Sequence, residues 1–327
     1  MAKIGVFDSG VGGLSVLKEL LRALPDEDYV YYADSRYCPY GGQPADYVIS
    51  RAVSITDTLL AEGCQLIVVA CNTATSAAIS FLREKYSIPF VGMEPAVKPA
   101  ALETMTGVIG VLATAGTLSG SKYLNMKGKY SSEVKVVEHT GSGFVEIVER
   151  MAATGGEMSR PEETEVMDTI CESLKPLVDA DADSIVLGCT HYPFLLPQLE
   201  KAAAEICPQR HIHFINPAPA IARRVAELLS KSGSDNLSDS SVIVASDSVK
   251  NGVSPKNCIE ECVEKVVVDG DDNSAKNSLE DKNAVADPVN AIPNAVKNKP
   301  EPSVKLLSSG SVDNLVTAFN HLCRQSF

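Results

Sequence analysis

Two short apolar runs constrain this chain more than any other feature. Leu66-Ile67-Val68-Val69-Ala70 leads into Cys71-Asn72-Thr73, and Ser184-Ile185-Val186-Leu187-Gly188 leads into Cys189-Thr190-His191. Such a run, bounded by small polar residues, is the pattern of a strand buried on both faces of a sheet. An earlier pair repeats in the same order. Ile4-Gly5-Val6-Phe7 precedes Asp8-Ser9-Gly10, and Ile109-Gly110-Val111-Leu112 precedes Ala113-Thr114-Ala115. Two echoes in one order predict an α/β protein of two similar parallel-sheet domains related by pseudo-two-fold symmetry. The strand ends, where ligands of such sheets bind, would then meet in the cleft between the domains.

The intervening segments fit. Leu14, Leu17, Leu20, Leu21 and Leu24 recur at helical spacing after the first strand, and Pro25 stops that helix. Residues 29–33 read as a strand and 52–60 as a helix. The order predicts a first domain over residues 1–97, a second over 98–210, and a return segment over 211–327 that completes the first. Within that segment, residues 232–303 are rich in Ser, Asn, Asp, Lys and Val and contain no aromatic residue. This composition predicts a disordered or loosely ordered insertion, with short elements at 242–245 and 262–268. A strand at 304–307 and a helix carrying Leu315, Ala318, Phe319 and Leu322 follow.

The net charge of −13 argues against nucleic acid or an anionic membrane as partner, since each needs a basic face. No apolar run approaches membrane-spanning length. Nine cysteines without a Cys-x-x-Cys pair read as reduced thiols of a cytoplasmic protein, not as a disulfide framework or zinc ribbon. The N-terminus enters a strand at Ile4 and lacks the pattern of a signal peptide.

Two cysteines at matching strand ends suit one reaction in particular. Inverting an α-carbon needs a base on one face and an acid on the other, and the two exchange roles in the reverse direction. Cys71 and Cys189 fit that demand. A free thiol of pKa about 8.5 is only a few per cent thiolate at pH 7, and lowering it to about 7 takes about 2 kcal/mol. Helices starting at Asn72-Thr73 and at Thr190 would aim N–H groups at the cleft. Asp8 and His191 are candidate proton partners. The commoner fate of an intracellular cysteine is a small buried hydrophobe, assigned here to Cys38, Cys64, Cys171, Cys207, Cys258, Cys262 and Cys323. A zinc site from Cys71, Cys189 and His191 is a further reading, weakened by the lack of local ligand pairing. His211 and His213 alternate as in a strand and read as structural.

The turn Asp8-Ser9-Gly10-Val11-Gly12-Gly13 does not match a dinucleotide loop, because the third glycine position is Ser15. An acid there suits an α-ammonium group, with Ser9 and the turn amides available to a carboxylate.

Four motifs in order resemble the glutamate racemases of the aspartate/glutamate racemase superfamily. They are Asp8-Ser9-Gly10-Val11-Gly12-Gly13-Leu14-Ser15, Tyr32-Ala33-Asp34 leading to Pro39-Tyr40-Gly41, Ala70-Cys71-Asn72-Thr73-Ala74-Thr75, and Gly188-Cys189-Thr190-His191-Tyr192-Pro193. Asn216-Pro217-Ala218 and Ser308-Ser309-Gly310 resemble the family's tail. The resemblance implies cofactor- and metal-independent exchange of the α-proton by Cys71, usually serving the D-enantiomer, and Cys189, serving the L-enantiomer. It implies help from Asp8 and His191, and substrate contacts by Asp8, Ser9, Tyr40, Gly41, Asn72, Thr73, Thr190 and His191. Thr114 and Thr117 are implied at a carboxylate, and Glu149 at the second half-site. It also implies a homodimer whose D-glutamate feeds peptidoglycan synthesis. The family's N-terminal extension is missing, so activation by a peptidoglycan precursor is not expected. Gly42-Gln43-Pro44-Ala45 and the 232–303 insertion depart from the family pattern. Aspartate racemase is the nearest rival reading; a two-lobed amino-acid-binding protein is the non-catalytic one.

Overall fold

The computed structural model describes residues 1–232 and 303–324; the expected insertion elements at 242–245 and 262–268 lie outside them. In chain order the strands are β1 (Lys3–Asp8), β2 (Asp28–Ala33), β3 (Leu66–Val69), β4 (Phe90–Gly92), β5 (Val108–Ala113), β6 (Lys135–Thr140), β7 (Ser184–Gly188), β8 (His213–Ile215) and β9 (Val304–Ser308). Among the described residues they form two sheets, ordered β4-β3-β1-β2-β9 and β6-β5-β7-β8, and the paired strands run parallel.

Read from β8, the second sheet runs β8-β7-β5-β6, so the strands that echo in sequence are equivalent in topology. β1 and β3 pair at the centre of one sheet, with Phe7 opposite Val69. β5 and β7 pair at the centre of the other, with Ala113 opposite Gly188. Central strands are covered on both faces, which is why these runs are continuously apolar and do not alternate. β8 pairs with β7, so the second sheet extends to Ile215, past the boundary at 210 that the sequence suggested. β9 then returns to the first sheet beside β2.

The helix Leu14–Ala23 buries Leu14, Val16, Leu17, Leu20 and Leu21, and its end is closed by the Leu24 amide on the Leu20 carbonyl, just before Pro25. The helix expected at 52–60 is longer, Ala45–Ala61, and starts after Pro44. One apolar cluster joins Leu14 and Leu17 to Phe144, Val148, Leu187 and Phe319, so both sheets share a core beneath the cleft. No helix among the described residues is long and apolar enough to cross a membrane.

Candidate active site

β1 delivers Asp8 at its carboxyl end, fully buried. Its Oδ2 accepts the Gly13 N–H at 2.8 Å and the Thr190 hydroxyl at 3.3 Å. Its Oδ1 has no hydrogen-bond partner among the described residues. Burial raises the Asp8 pKa, outweighing the His191 charge and the Gly13 and Ser9 amides, which lower it.

β3 delivers Cys71, which caps the helix Asn72–Lys85: its Sγ accepts the Ala74 N–H at 3.4 Å. The thiol also points its proton at Ser9 Oγ, 3.9 Å away. Here the helix-terminus contribution expected from the sequence is present but loses. Burial, followed by the Asp8 charge, pushes the Cys71 thiol well up, and the Ala74 amide only moderates the rise. Cys189 is close enough to add to it, which places the two thiols at one site.

β7 delivers Cys189 and, two residues on, His191, which is 1% exposed. Cys189 Sγ lies 3.7 Å from His191 Nδ1, and His191 Nε2 lies 2.8 Å from Glu149 Oε1. Glu149 comes from the helix Phe144–Ala153, and the same oxygen accepts the Val11 N–H at 2.8 Å. Burial pulls the His191 pKa down, but its bonds to Cys189, Cys38 and Glu149 more than reverse this, so the imidazole titrates well above its ordinary range. Burial lifts Glu149, but His191 and the Val11 amide outweigh it and its pKa ends below the usual value. The two therefore form an ion pair at neutral pH. The helix expected to begin at Thr190 does not. A 3-10 turn over Tyr192–Leu195 intervenes, and the α-helix is Leu196–Ile206. Cys189 is thus served by an imidazole and not by helix amides.

The glycine-rich turn lies flat against this relay. A Cβ on Gly10 would sit 1.9 Å from Glu149 Oε1, and one on Gly12 would sit 2.3 Å from His191 Nδ1. Two of the turn amides that the sequence offered to a ligand carboxylate are used by the protein's own acids: Val11 serves Glu149 and Gly13 serves Asp8.

Around the thiols, Ser9, Asn72, Thr73, Thr117 and Thr190 are all buried. Neither side-chain amide atom of Asn72 has a partner among the described residues. Thr73, Thr114 and Thr117 form a hydroxyl chain with two 3.0 Å steps, linking the end of β3 to the end of β5. The Gly116 N–H donates to the Gly41 carbonyl at 3.0 Å, a second link across the cleft. Tyr40 is buried, but its hydroxyl is committed to Asp34, which Arg51 grips through two bonds of 2.9 and 2.7 Å. Of the residues named from the sequence, Asp8, Ser9, Cys71, Asn72, Thr73, Thr114, Cys189, Thr190 and His191 lie at or just past the ends of β1, β3, β5 and β7, Glu149 lies against His191, and Tyr40 and Gly41 lie in the loop before the helix Ala45–Ala61. Three were missed. Asp34 and Arg51 hold the Tyr40 segment, and Cys38, assigned above as a structural thiol, donates to Glu149 Oε1 at 3.7 Å. The position of Cys38 inside Tyr37-Cys38-Pro39-Tyr40 was the available signal.

A family model described as Asp/Glu/hydantoin racemase matches residues 4–225. A glutamate racemase from Ectopseudomonas mendocina (strain ymp) is 45% identical over 229 residues, covering 70% of this chain and 82% of that protein. Among solved structures, a Bacillus anthracis glutamate racemase is 34% identical with a TM-score of 0.61, over 71% of this chain and 83% of that one. The Escherichia coli glutamate racemase, solved with L-glutamate and the activator UDP-MurNAc-Ala, is 35% identical with a TM-score of 0.61, over 70% and 82%. With two sequence-equivalent strands each ending in a buried thiol, and relatives of this identity over most of their own length, the chain belongs to the Asp/Glu/hydantoin racemase family, among its glutamate racemases.

Proposed function

We propose that Cys71 and Cys189 interconvert L- and D-glutamate by exchanging the α-proton between opposite faces, without metal or organic cofactor. In the L-to-D direction the Cys189 thiolate takes the proton from Cα and the Cys71 thiol delivers one to the other face. The products are D-glutamate, a Cys189 thiol and a Cys71 thiolate, and the reverse reaction runs the same steps backwards. General acid–base catalysis of this kind contributes about 10²–10⁴-fold for each well-placed group.

The observation that carries this reading is the pairing of two buried thiols with different buried helpers. Cys71 sits beside Asp8 and Cys189 beside the His191–Glu149 ion pair. Asp8 Oδ1, which lacks a partner, suits the α-ammonium group; Ser9, Asn72 and the Thr73–Thr114–Thr117 hydroxyls suit the carboxylates, with Thr190 and the Tyr40-Gly41 segment completing the pocket. The relatives are glutamate racemases, which favours glutamate over aspartate. By analogy with them, the chain acts in the cytoplasm, as a homodimer, supplying D-glutamate for peptidoglycan.

The test is incubation with L-glutamate, and separately L-aspartate, in D2O with chelator present. Loss of optical activity with deuterium at Cα is expected for glutamate, and should vanish in Cys71→Ser and in Cys189→Ser while the fold persists. Full turnover in either variant would end the two-thiol reading; binding without exchange would leave an amino-acid-binding protein.

A further inference from the structure

On the side of His191 away from Cys189 lies a second set of donors. Cys38 Sγ, Glu149 Oε1 and His191 Nε2 all lie within 4.8 Å of one another. Cys38 is 3.7 Å and His191 2.8 Å from the shared Glu149 oxygen. Thiolate, imidazole and carboxylate are the ligand types of Zn²⁺, at about 2.0–2.3 Å each. Tetrahedral ligands at that range stand roughly 3.3–3.7 Å apart, so small adjustments of three side chains would close the site.

Two further features support it. His191 turns Nδ1 to the Cys189 sulfur, so Nε2 is the nitrogen left for a ligand bond. A metal-bound histidine is ordinarily oriented in this way, its other N–H held by an acceptor. Glu149 also lines a cavity of about 270 Å³ together with Val11, Ser35 and Arg36, so one of the three ligand residues borders open space. The zinc set raised from the sequence, Cys71 with Cys189 and His191, is not the one these distances favour.

We propose that Cys38, Glu149 and His191 form an inhibitory site for a soft divalent cation of the Zn²⁺ type, which arrests turnover by replacing the His191–Glu149 bond with a fixed metal bond. Binding expels the Cys38 thiol proton and the proton on His191 Nε2. The Nδ1–H that remains faces Cys189, with a divalent charge one imidazole away. With Nε2 taken by the metal, the direct His191–Glu149 bond that orients the ring beside Cys189 is lost. The arrest rests on the two-thiol reading above; the metal site itself does not.

Cd²⁺ titrated into the full chain, read by thiolate-to-metal charge-transfer absorbance, tests the site. The parent is compared with Cys38→Ala and with a Cys71→Ala/Cys189→Ala double variant, and Zn²⁺ inhibition of glutamate racemisation is measured on the parent and on Cys38→Ala. The expected result is tight binding in the parent and the double variant. Binding in Cys38→Ala should be at least about 100-fold weaker, beyond the roughly 10–100-fold that losing an outer-shell partner costs. With each rate taken relative to the same protein in chelator, Zn²⁺ should inhibit Cys38→Ala less than the parent by a similar factor. Equal Cd²⁺ affinity in Cys38→Ala and parent overturns the site, and so does a loss confined to the double variant. Binding at Cys38 with undiminished turnover keeps the site and refutes the arrest. Binding by a parent that shows no racemisation even with chelator refutes the two-thiol reading and leaves the site standing.

Discussion

Gly12→Ala separates the position of His191 from its chemistry. The added methyl carbon would lie 2.3 Å from Nδ1, 2.5 Å from Cε1 and 2.7 Å from Cγ of the imidazole, where ordinary contact begins at 3.4 Å. The ring must therefore retreat by about 1 Å. Its two ends are held, Nε2 by Glu149 at 2.8 Å and Nδ1 against Cys189 at 3.7 Å, so a shift of that size loosens at least one of them. A misplacement of about 1 Å costs on the order of 10²-fold in rate, or about 2.7 kcal/mol of barrier. Gly12 does not have a positive φ, so the backbone accepts alanine and gains about 0.4–1 kcal/mol from reduced unfolded-state entropy. Overpacking costs about 1–3 kcal/mol against that, for a net change between about zero and a loss of about 2.6 kcal/mol. Initial rates in both directions, followed by the circular dichroism of glutamate, should show the loss in kcat more than in KM. Gly42→Ala is the control, since nothing lies within 4 Å of its added carbon, and it should match the parent. Parent-like kcat in a folded Gly12→Ala protein would refute a positional role for His191.

Glu149→Gln removes one of the contacts that raise His191, alongside those of Cys189 and Cys38, but keeps an oxygen for the Val11 amide. The His191 titration, followed by NMR, should fall, with the Cys189 and Cys38 contacts keeping part of the rise; an unmoved titration would show that the ion pair does not contribute. The raised His191 pKa gives stability that is full below about 6.5 and lost as pH rises through the folded value. The lowered Glu149 pKa gives stability present above about 4.3 and lost as pH falls through its folded value. The stability gap between parent and Glu149→Gln should therefore peak in the window between the two folded values and close at either end, as measured by denaturant melts across pH. Tyr31→Phe removes the buried hydroxyl that donates to the Gly10 carbonyl at 2.8 Å, and should cost about 1–2 kcal/mol, seen as a melting point lower by a few degrees; an unchanged melt would show that water replaces the bond freely. Because burial raises Asp8, glutamate affinity should rise with pH as Asp8 ionises, with proton release on binding detected by calorimetry in buffers of different ionisation enthalpy. Asp8→Asn should bind weakly with no such slope, and a sloped Asp8→Asn would assign the proton elsewhere.

The parts of this molecule legible in the sequence are those set by local pattern. Val68 and Val186 lie in runs apolar enough to be read as central strands, and the polar residues after Cys71 and Cys189 marked the strand ends as a site. Contacts between elements far apart in the chain were not legible. Glu149 is 42 residues from His191; its match to a family acid suggested the second half-site, and nothing suggested the bond to His191. Arg51 meets Asp34 because the helix Ala45–Ala61 packs across the first sheet, a relation that no local spacing encodes. The misread start at Thr190 has a local cause. His191 is followed by Tyr192-Pro193, and a proline without an N–H suits the 3-10 turn that delays the α-helix to Leu196.

The two half-sites are alike in strand order and opposite in charge, and this bears on how both thiols can be prepared for exchange. Beside Cys71 stands a carboxyl group, and burial raises the proton affinity of both, so each holds the other's proton in place. Beside Cys189 stands an imidazolium whose counter-ion, Glu149, lies on its far side and is held there by the Val11 amide. A pair of identical helpers would bias both thiols the same way. On the proposed assignment, burial and the Asp8 charge keep the proton on Cys71, the acid of the L-to-D direction. For the reverse, the charge that holds the proton on Cys71 must be offset, and an α-ammonium group against Asp8 Oδ1 would do so, because Asp8 is the second-largest cause of the Cys71 shift. The substrate would thereby help to generate the base that attacks it. An amine-free analogue such as glutarate should then leave Cys71 protonated while glutamate ionises it, a difference readable as thiolate absorbance in Cys189→Ser at fixed pH. Equal absorbance with the two ligands would show that Asp8 and the ammonium group do not control the thiol.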